Sequence, residues 1–273
     1  MIDRKIKGNG PKALESFISG AMSFIKKHLS LFLLLILVIT FFTRNNFRSV
    51  EDIMPEVLGQ PHQYKIDNAA VVKFQKNGYA YEFTPIYDYE ISALVVNKMN
   101  YKAFSIEKFD KAFPYDLCLI WGSNVASGTY RNKTLKFSQD CRWCFAQWYG
   151  DVKFNWEEFS NSHLLINNSD VEKKAKSLVI GDQVKIKGQL VNVKASLISN
   201  PGRFDASEYT WNSGVGKTGL GAGACKVIYV EKLEILKKAN VISYFLFHLS
   251  LYGLFLLIIW KILCFFNILG SQS

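Results

Sequence analysis

The chain has 273 residues, 49% of them hydrophobic and 15% aromatic, with a formal net charge of +10. That length holds one large or two small domains with a buried core, and the composition is too apolar for an intrinsically disordered chain. The excess of Lys and Arg over Asp and Glu, 33 against 23, lies partly in a basic N-terminal tail and suits an anionic membrane surface, so charge alone does not mark a nucleic-acid-binding domain.

Residues 1–28 form that tail, with Arg4, Lys5, Lys7, Lys12, Lys26 and Lys27 against only Asp3 and Glu15. Residues 29–43, beginning "LSLFLLLILVITFF", read as a first transmembrane helix. The run is short for a span, but basic side chains at its ends snorkel and extend it. No small-x-small cleavage pattern follows, so it reads as an anchor and not as a cleaved signal. Residues 44–62, with Pro55 and Pro61, read as a linker. Residues 241–266, "VISYFLFHLSLYGLFLLIIWKILCFF", form a second span with Tyr244 and Trp260 near its ends, and 267–273 are a short tail. Inside that run, Lys261 is expected to snorkel and His248 to hydrogen-bond to a neighbouring helix.

Between the spans, residues 63–240 carry short alternating segments: 70–75, 79–87, 89–96, 116–122, 163–167, 181–195 and 225–236. Asn77-Gly78 is a hairpin signal. Helices are expected only at 105–113 and 169–179, each starting at a Ser that caps it. The fold class is therefore two transmembrane α-helices flanking a mainly-β domain. "SLVIGDQVKIKGQLVNVKA" and "KVIYVEKLEIL" give a strand that bends at Gly188 and a strand that returns beside it. This pattern, over about residues 178–236, resembles OB-fold barrels, in which a strand glycine permits strong coiling. The resemblance implies an OB-like barrel that binds an oligonucleotide, an oligosaccharide or a protein.

The tail favours a cytoplasmic N-terminus, while Arg44, Arg48, Lys232, Lys237 and Lys238 favour the opposite. The first helix dominates and long domains translocate largely regardless of charge, so both termini are expected in the cytoplasm and the central domain outside it. Cys118, Cys141, Cys144 and Cys225 lie in that domain and Cys264 in the second span. An even number in an extracytoplasmic domain reads as up to two disulfides, with three connectivities open.

Several motifs resemble known chemistry. "GVGKTGLGAGAC", residues 214–225, ends like a phosphate-binding loop, but the position five before Gly216 is Trp211 and not glycine, and the following glycines start no helix. No bound nucleotide is expected. Cys141-Arg142-Trp143-Cys144 has thiol-oxidoreductase spacing without the βαβ context. A Cys₄ zinc site needs a second close pair, so no metal or cofactor is expected. His163, with Glu157, Glu158 and Asp170 nearby in sequence, reads as structure before catalysis, and Ser123 has no nucleophile elbow.

Trp121, Trp143, Trp148 and Tyr149 beside Arg131, Lys133 and Arg142 form a candidate ligand surface, with a disulfide-braced core as the competing account. The expected function is a membrane-anchored, non-catalytic binding or accessory-subunit protein. Its partners would be membrane lipid and an envelope protein or polymer, in preference to nucleic acid. The alternative from another class is thiol-disulfide exchange through Cys141 and Cys144.

Overall fold

The computed structural model describes residues 28–101, 109–140, 142–201, 205–216 and 225–270. The chain divides into two compact units: Asn45–Asn240, and Met1–Arg44 with Val241–Ser273. The first is mainly β.

Its strands are β1 (His62–Lys65), β2 (Val72–Lys76), β3 (Tyr79–Asn100), β4 (Tyr115–Ile120), β5 (Lys136–Asp140), β6 (Trp143–Gln147), β7 (Phe159–Leu165), β8 (Gln183–Leu197), β9 (Glu208–Trp211) and β10 (Cys225–Lys237). Strands β3, β4, β7, β10 and β8 pair in that order, and β8 pairs back onto β3, so the five close into a ring. The β7–β10 pairing is parallel, and the other four are antiparallel. Strands β1, β2 and β9 extend the sheet, while β5 and β6 form a separate hairpin.

Ring closure explains why two expected segments, 79–87 and 89–96, are one strand. β3 pairs with β8 from Tyr79 to Leu94, and its opposite edge takes β2, then β1, then β4. Pro85, which has no N–H to donate, stands where the β3–β8 register shifts, and that bulge lets one long strand bend around the ring. Asn77 and Gly78 both have positive φ, 51° and 84°, as the two-residue turn between β2 and β3 requires.

Alternate residues of all five strands fill the ring: Ile91, Ala93 and Val95 from β3, Leu117 and Leu119 from β4, Leu164 from β7, Val184 and Ile186 from β8, and Ile228 and Val230 from β10. The helix after β7, Ser169–Ser177, adds Val171 and Ala175 to this core and stops the end of the ring where β7 finishes. Its cap is Asn168 and not the expected Ser169: Asn168 Oδ1 accepts from the amides of Asp170 and Val171 at 2.8 and 3.3 Å. At 105–113, the described part is a short 3₁₀ turn, Phe109–Ala112, and the rest lies outside the described residues.

Residues 45–62, within the stretch 44–62 read as a linker, pack onto the domain. Val57 is fully buried, the Met54 amide donates to Gln183 Oε1 at 2.6 Å, and Gly122 donates to the Val57 carbonyl at 3.0 Å. The apolar residues Phe47, Val50, Ile53 and Met54 in the segment account for this, since together they cover the outer face of β3 and β4.

The two ends of the domain are clamped together. Asn240 Nδ2 donates to the Asn46 carbonyl at 2.5 Å, and Arg48 donates to the Ala239 carbonyl at 3.1 Å. Buried Asp182 accepts from the amides of Ala239 and Val179 and from Lys238 Nζ, at 2.8 to 3.0 Å.

The second unit contains two apolar helices, His28–Thr43 and Val241–Gly270. Among the described residues, one helix is long and apolar enough to cross a membrane, Val241–Cys264, with mean hydropathy 2.0 in its most apolar window. The described first helix is shorter, about 24 Å at 1.5 Å per residue against a hydrocarbon core of about 30 Å. Of the two flanking spans expected, one is a helix of spanning length and the other a shorter apolar helix. The helices meet where a Cβ on Gly253 would lie 3.0 Å from Leu33 Cδ1, and the Arg44 guanidinium sits 3.8 Å from the Phe247 ring centroid. Lys261 is exposed, and His248 stacks on Tyr252 of its own helix.

Candidate binding site

With the helix Ser169–Ser177 closing one end, the other end of the ring holds a cavity of about 310 Å³. Because β7 and β10 run parallel, both bring their first residues to this mouth: Ser160 and Lys226 line it, with Tyr89 of β3 and Trp121 at the end of β4. Gln60 and Pro61 form part of the wall, and Val215 and Gly216 close in from the glycine-rich stretch.

Lys226 is 5% exposed, and its ammonium donates to the carbonyls of Gly214 and Gly216 at 2.7 and 2.6 Å. Burial pulls its pKa down to about 8. Trp121 Nε1 donates to Gln60 Oε1 at 3.2 Å, and Gln60 Nε2 donates to Glu158 Oε1 at 2.6 Å. Glu158 Oε2 accepts from the Ser123 and Asn124 amides and the Ser123 hydroxyl, capping the single turn Ser123–Ala126. Gly122 makes this contact feasible: its φ is +57°, and a Cβ there would lie 2.5 Å from Glu158 Cδ.

Burial pushes the Glu158 carboxyl up, but the hydrogen bonds from Ser123, Gln60 and Asn124 together outweigh it and hold it below its ordinary value of 4.5. A carboxyl depressed on folding stabilises above its unfolded pKa, and the contribution is lost as pH falls through the folded one. The Glu158→Gln variant is expected to lose about 1–3 kcal/mol at neutral pH. It should also show a flatter decline in urea midpoint as acid is added, while an unchanged acid limb would contradict this role.

On the outer face of the same strands lies a second polar group. Asp116 accepts from Arg142 Nη1 at 2.9 Å, and its other oxygen lies 2.9 Å from His163 Nδ1 without hydrogen-bonding geometry. Asn161 Nδ2 is 3.4 Å from both His163 Nε2 and Cys225 Sγ. The imidazole and the thiol are thus separated by an amide, and burial raises the Cys225 pKa. The trio is arranged as a cross-link between strands and not as an activated nucleophile.

The four cysteines of this domain have different surroundings. Cys118 and Cys144 form a disulfide joining β4 to the β5–β6 hairpin, with Cα atoms 5.7 Å apart. Cys225 is a buried free thiol, and Cys141 lies outside the described residues. The Cys-x-x-Cys pair therefore has one member bonded elsewhere. Among the described residues, no three His, Cys, Asp or Glu side chains gather as a metal site.

Nor do the aromatic and basic candidates share one surface. Trp121 is 4% exposed and lines the cavity. Trp148 stacks among Phe154 and Trp156. Arg142 is held by Asp116 and lies over the Tyr101 ring. Trp143, Tyr149, Arg131 and Lys133 are exposed.

Two functional features escaped the sequence reading. His163 pairs with Asp116, not with the carboxylates near it in sequence, and the visible signal was one acid at the head of the apolar run "DLCLIW". Lys226 was hidden because both faces of β10 are buried at its start, so the alternation fails there. Compared with protein-family models, curated proteins and solved structures, the chain matches none. The fold and site together define a mainly-β domain with one mouth of its ring stopped by a helix and the other holding a cavity.

Proposed function

We propose that the chain is a membrane-anchored binding protein or accessory subunit, non-catalytic, whose OB-like domain stands on the extracytoplasmic side with both termini in the cytoplasm. The observation that carries this reading is a disulfide, Cys118–Cys144, inside a domain bracketed in sequence by apolar helices. Disulfides persist in oxidising compartments.

Large apolar side chains on the outer faces of both helices support the anchor, with Phe42 72% and Ile242 75% exposed. On this reading the shorter first helix spans by snorkelling of its basic flank and by local thinning of the bilayer. The closed five-stranded ring supports the barrel assignment. The cavity at its mouth supports binding, and the separated thiol and imidazole argue against nucleophilic chemistry. Thiol-disulfide exchange through Cys141 and Cys144 gains no support from a Cys144 already joined to Cys118.

The test uses Lys133→Cys, at an exposed position, and Lys12→Cys, in the tail, with a membrane-impermeant maleimide. Lys133→Cys is expected to label on intact cells and Lys12→Cys only after lysis. The reverse pattern would overturn the topology.

A further inference from the structure

We propose that the cavity at the mouth of the ring binds a small organic carboxylate, seated on Lys226 and the Tyr89 hydroxyl with its apolar body against Trp121 and Phe159. This names the ligand class for the binding reading above. It rests on that reading only in taking the domain to bind, so a failed topology would leave it standing.

Two residues on the cavity wall have donor capacity left unused. An ammonium has three N–H groups, and Lys226 places two of them on the Gly214 and Gly216 carbonyls. The third is unassigned, and among the described residues no carboxylate pairs with this nine-tenths buried cation. Tyr89 is 3% exposed, lines the same cavity, and its hydroxyl has no hydrogen-bond partner among the described residues. Buried polar groups are ordinarily satisfied, so a buried cation with an N–H left over, on the wall of a cavity it shares with Tyr89, indicates an acceptor that arrives from outside.

The acceptor's charge follows from what else is present. One ammonium and one phenol match the single charge and two oxygens of a carboxylate. Among the described residues, no arginine and no helix N-terminus lines the cavity, and Glu157 is on its wall. A doubly charged phosphate would be under-compensated there. Trp121, Phe159 and Pro61 supply an apolar wall for the remainder of the molecule.

Among the described residues, the charged and titratable neighbours of Lys226 are Glu157 and Tyr89 on the same cavity wall and Cys225 beside it on β10. Burial holds Tyr89 well above its ordinary value and raises Cys225, so the donor that loses its charge in mild alkali is Lys226, at about 8. Carboxylate binding therefore weakens as pH rises through that value, and a bound carboxylate raises it.

The experiment is calorimetric titration of the full-length chain in detergent micelles with benzoate, uncharged benzamide and phenyl phosphate. Benzoate is expected to bind at least about tenfold more tightly than benzamide, and to weaken about tenfold between about pH 6.5 and pH 9.5. Lys226→Met should abolish the preference for benzoate over benzamide. Should that variant fail to fold, Tyr89→Phe, which keeps the ring and its packing, is expected to weaken benzoate about tenfold. Equal binding of benzoate and benzamide, or no change in Tyr89→Phe, would overturn the proposal, and tighter binding of phenyl phosphate would overturn the carboxylate assignment.

Discussion

Gly188→Ala is expected to destabilise the central domain by at least about 3 kcal/mol, more than an ordinary overpacking substitution, because the added methyl meets backbone and not a side chain that can turn away. A Cβ at this point of β8 would overlap the Tyr229 carbonyl oxygen and lie 3.0 Å from Tyr229 C and 3.1 Å from the Glu231 nitrogen. The close approach has a purpose in the fold. Gly188 pairs with Val230 immediately before the register shift between Val230 and Lys232, where β8 and β10 bend together to close the ring. Gly59→Ala is the control: its Cβ would meet only the Glu56 carbonyl oxygen at 3.5 Å, so the cost should stay within about 0.5 kcal/mol. Urea midpoints followed by near-UV circular dichroism separate the two, and equal midpoints would refute the close-approach account.

Asp116→Ala is the second large effect, about 3–5 kcal/mol, the range for removing one partner of a buried ion pair. Asp116 is fully buried and meets both Arg142 and His163, so its loss removes the carboxylate that faces the Arg142 guanidinium. Arg142 is held in a costly conformation, φ 71°, by its amide to the Tyr101 hydroxyl, its carbonyl to Asn161, and its guanidinium to Asp116. Releasing the guanidinium should therefore loosen the turn between β5 and β6 as well. The double variant Asp116→Ala with Arg142→Met is expected to recover part of the loss, since an apolar pair leaves no stranded cation. A single-variant cost under about 1 kcal/mol would show that the cluster does not cross-link the strands.

The legible parts of this chain were those where local chemistry and tertiary structure ask for the same residue. Asn77-Gly78 has the positive φ values of its turn, and Gly188 sits at the bend that its place in an alternating strand suggested. Alternation located β3, β4, β7, β8 and β10 because each has at least part of its length with one face in the ring. It did not show that 79–87 and 89–96 are one strand, since the bulge at Pro85 interrupts the period without ending the pairing. β1, β9 and the β5–β6 hairpin are short, with polar or mixed patterns, and owe their pairing to neighbours distant in sequence. The cavity was illegible for the same reason. Ser160, Lys226 and Tyr89 come from three strands and Trp121 follows a fourth, and only ring closure makes them neighbours.

The clamp at the domain's ends has a consequence for how this unit can be handled. With Asn46 and Asn240 joined by a hydrogen bond and Asp182 holding Ala239 in place, the polypeptide enters and leaves at one doorway. A segment with such ends behaves as a cassette: residues 45–240 could be spliced into a surface turn of an unrelated carrier, or circularly permuted by a short bridge from Asn240 to Asn45, without drawing the ring of strands apart.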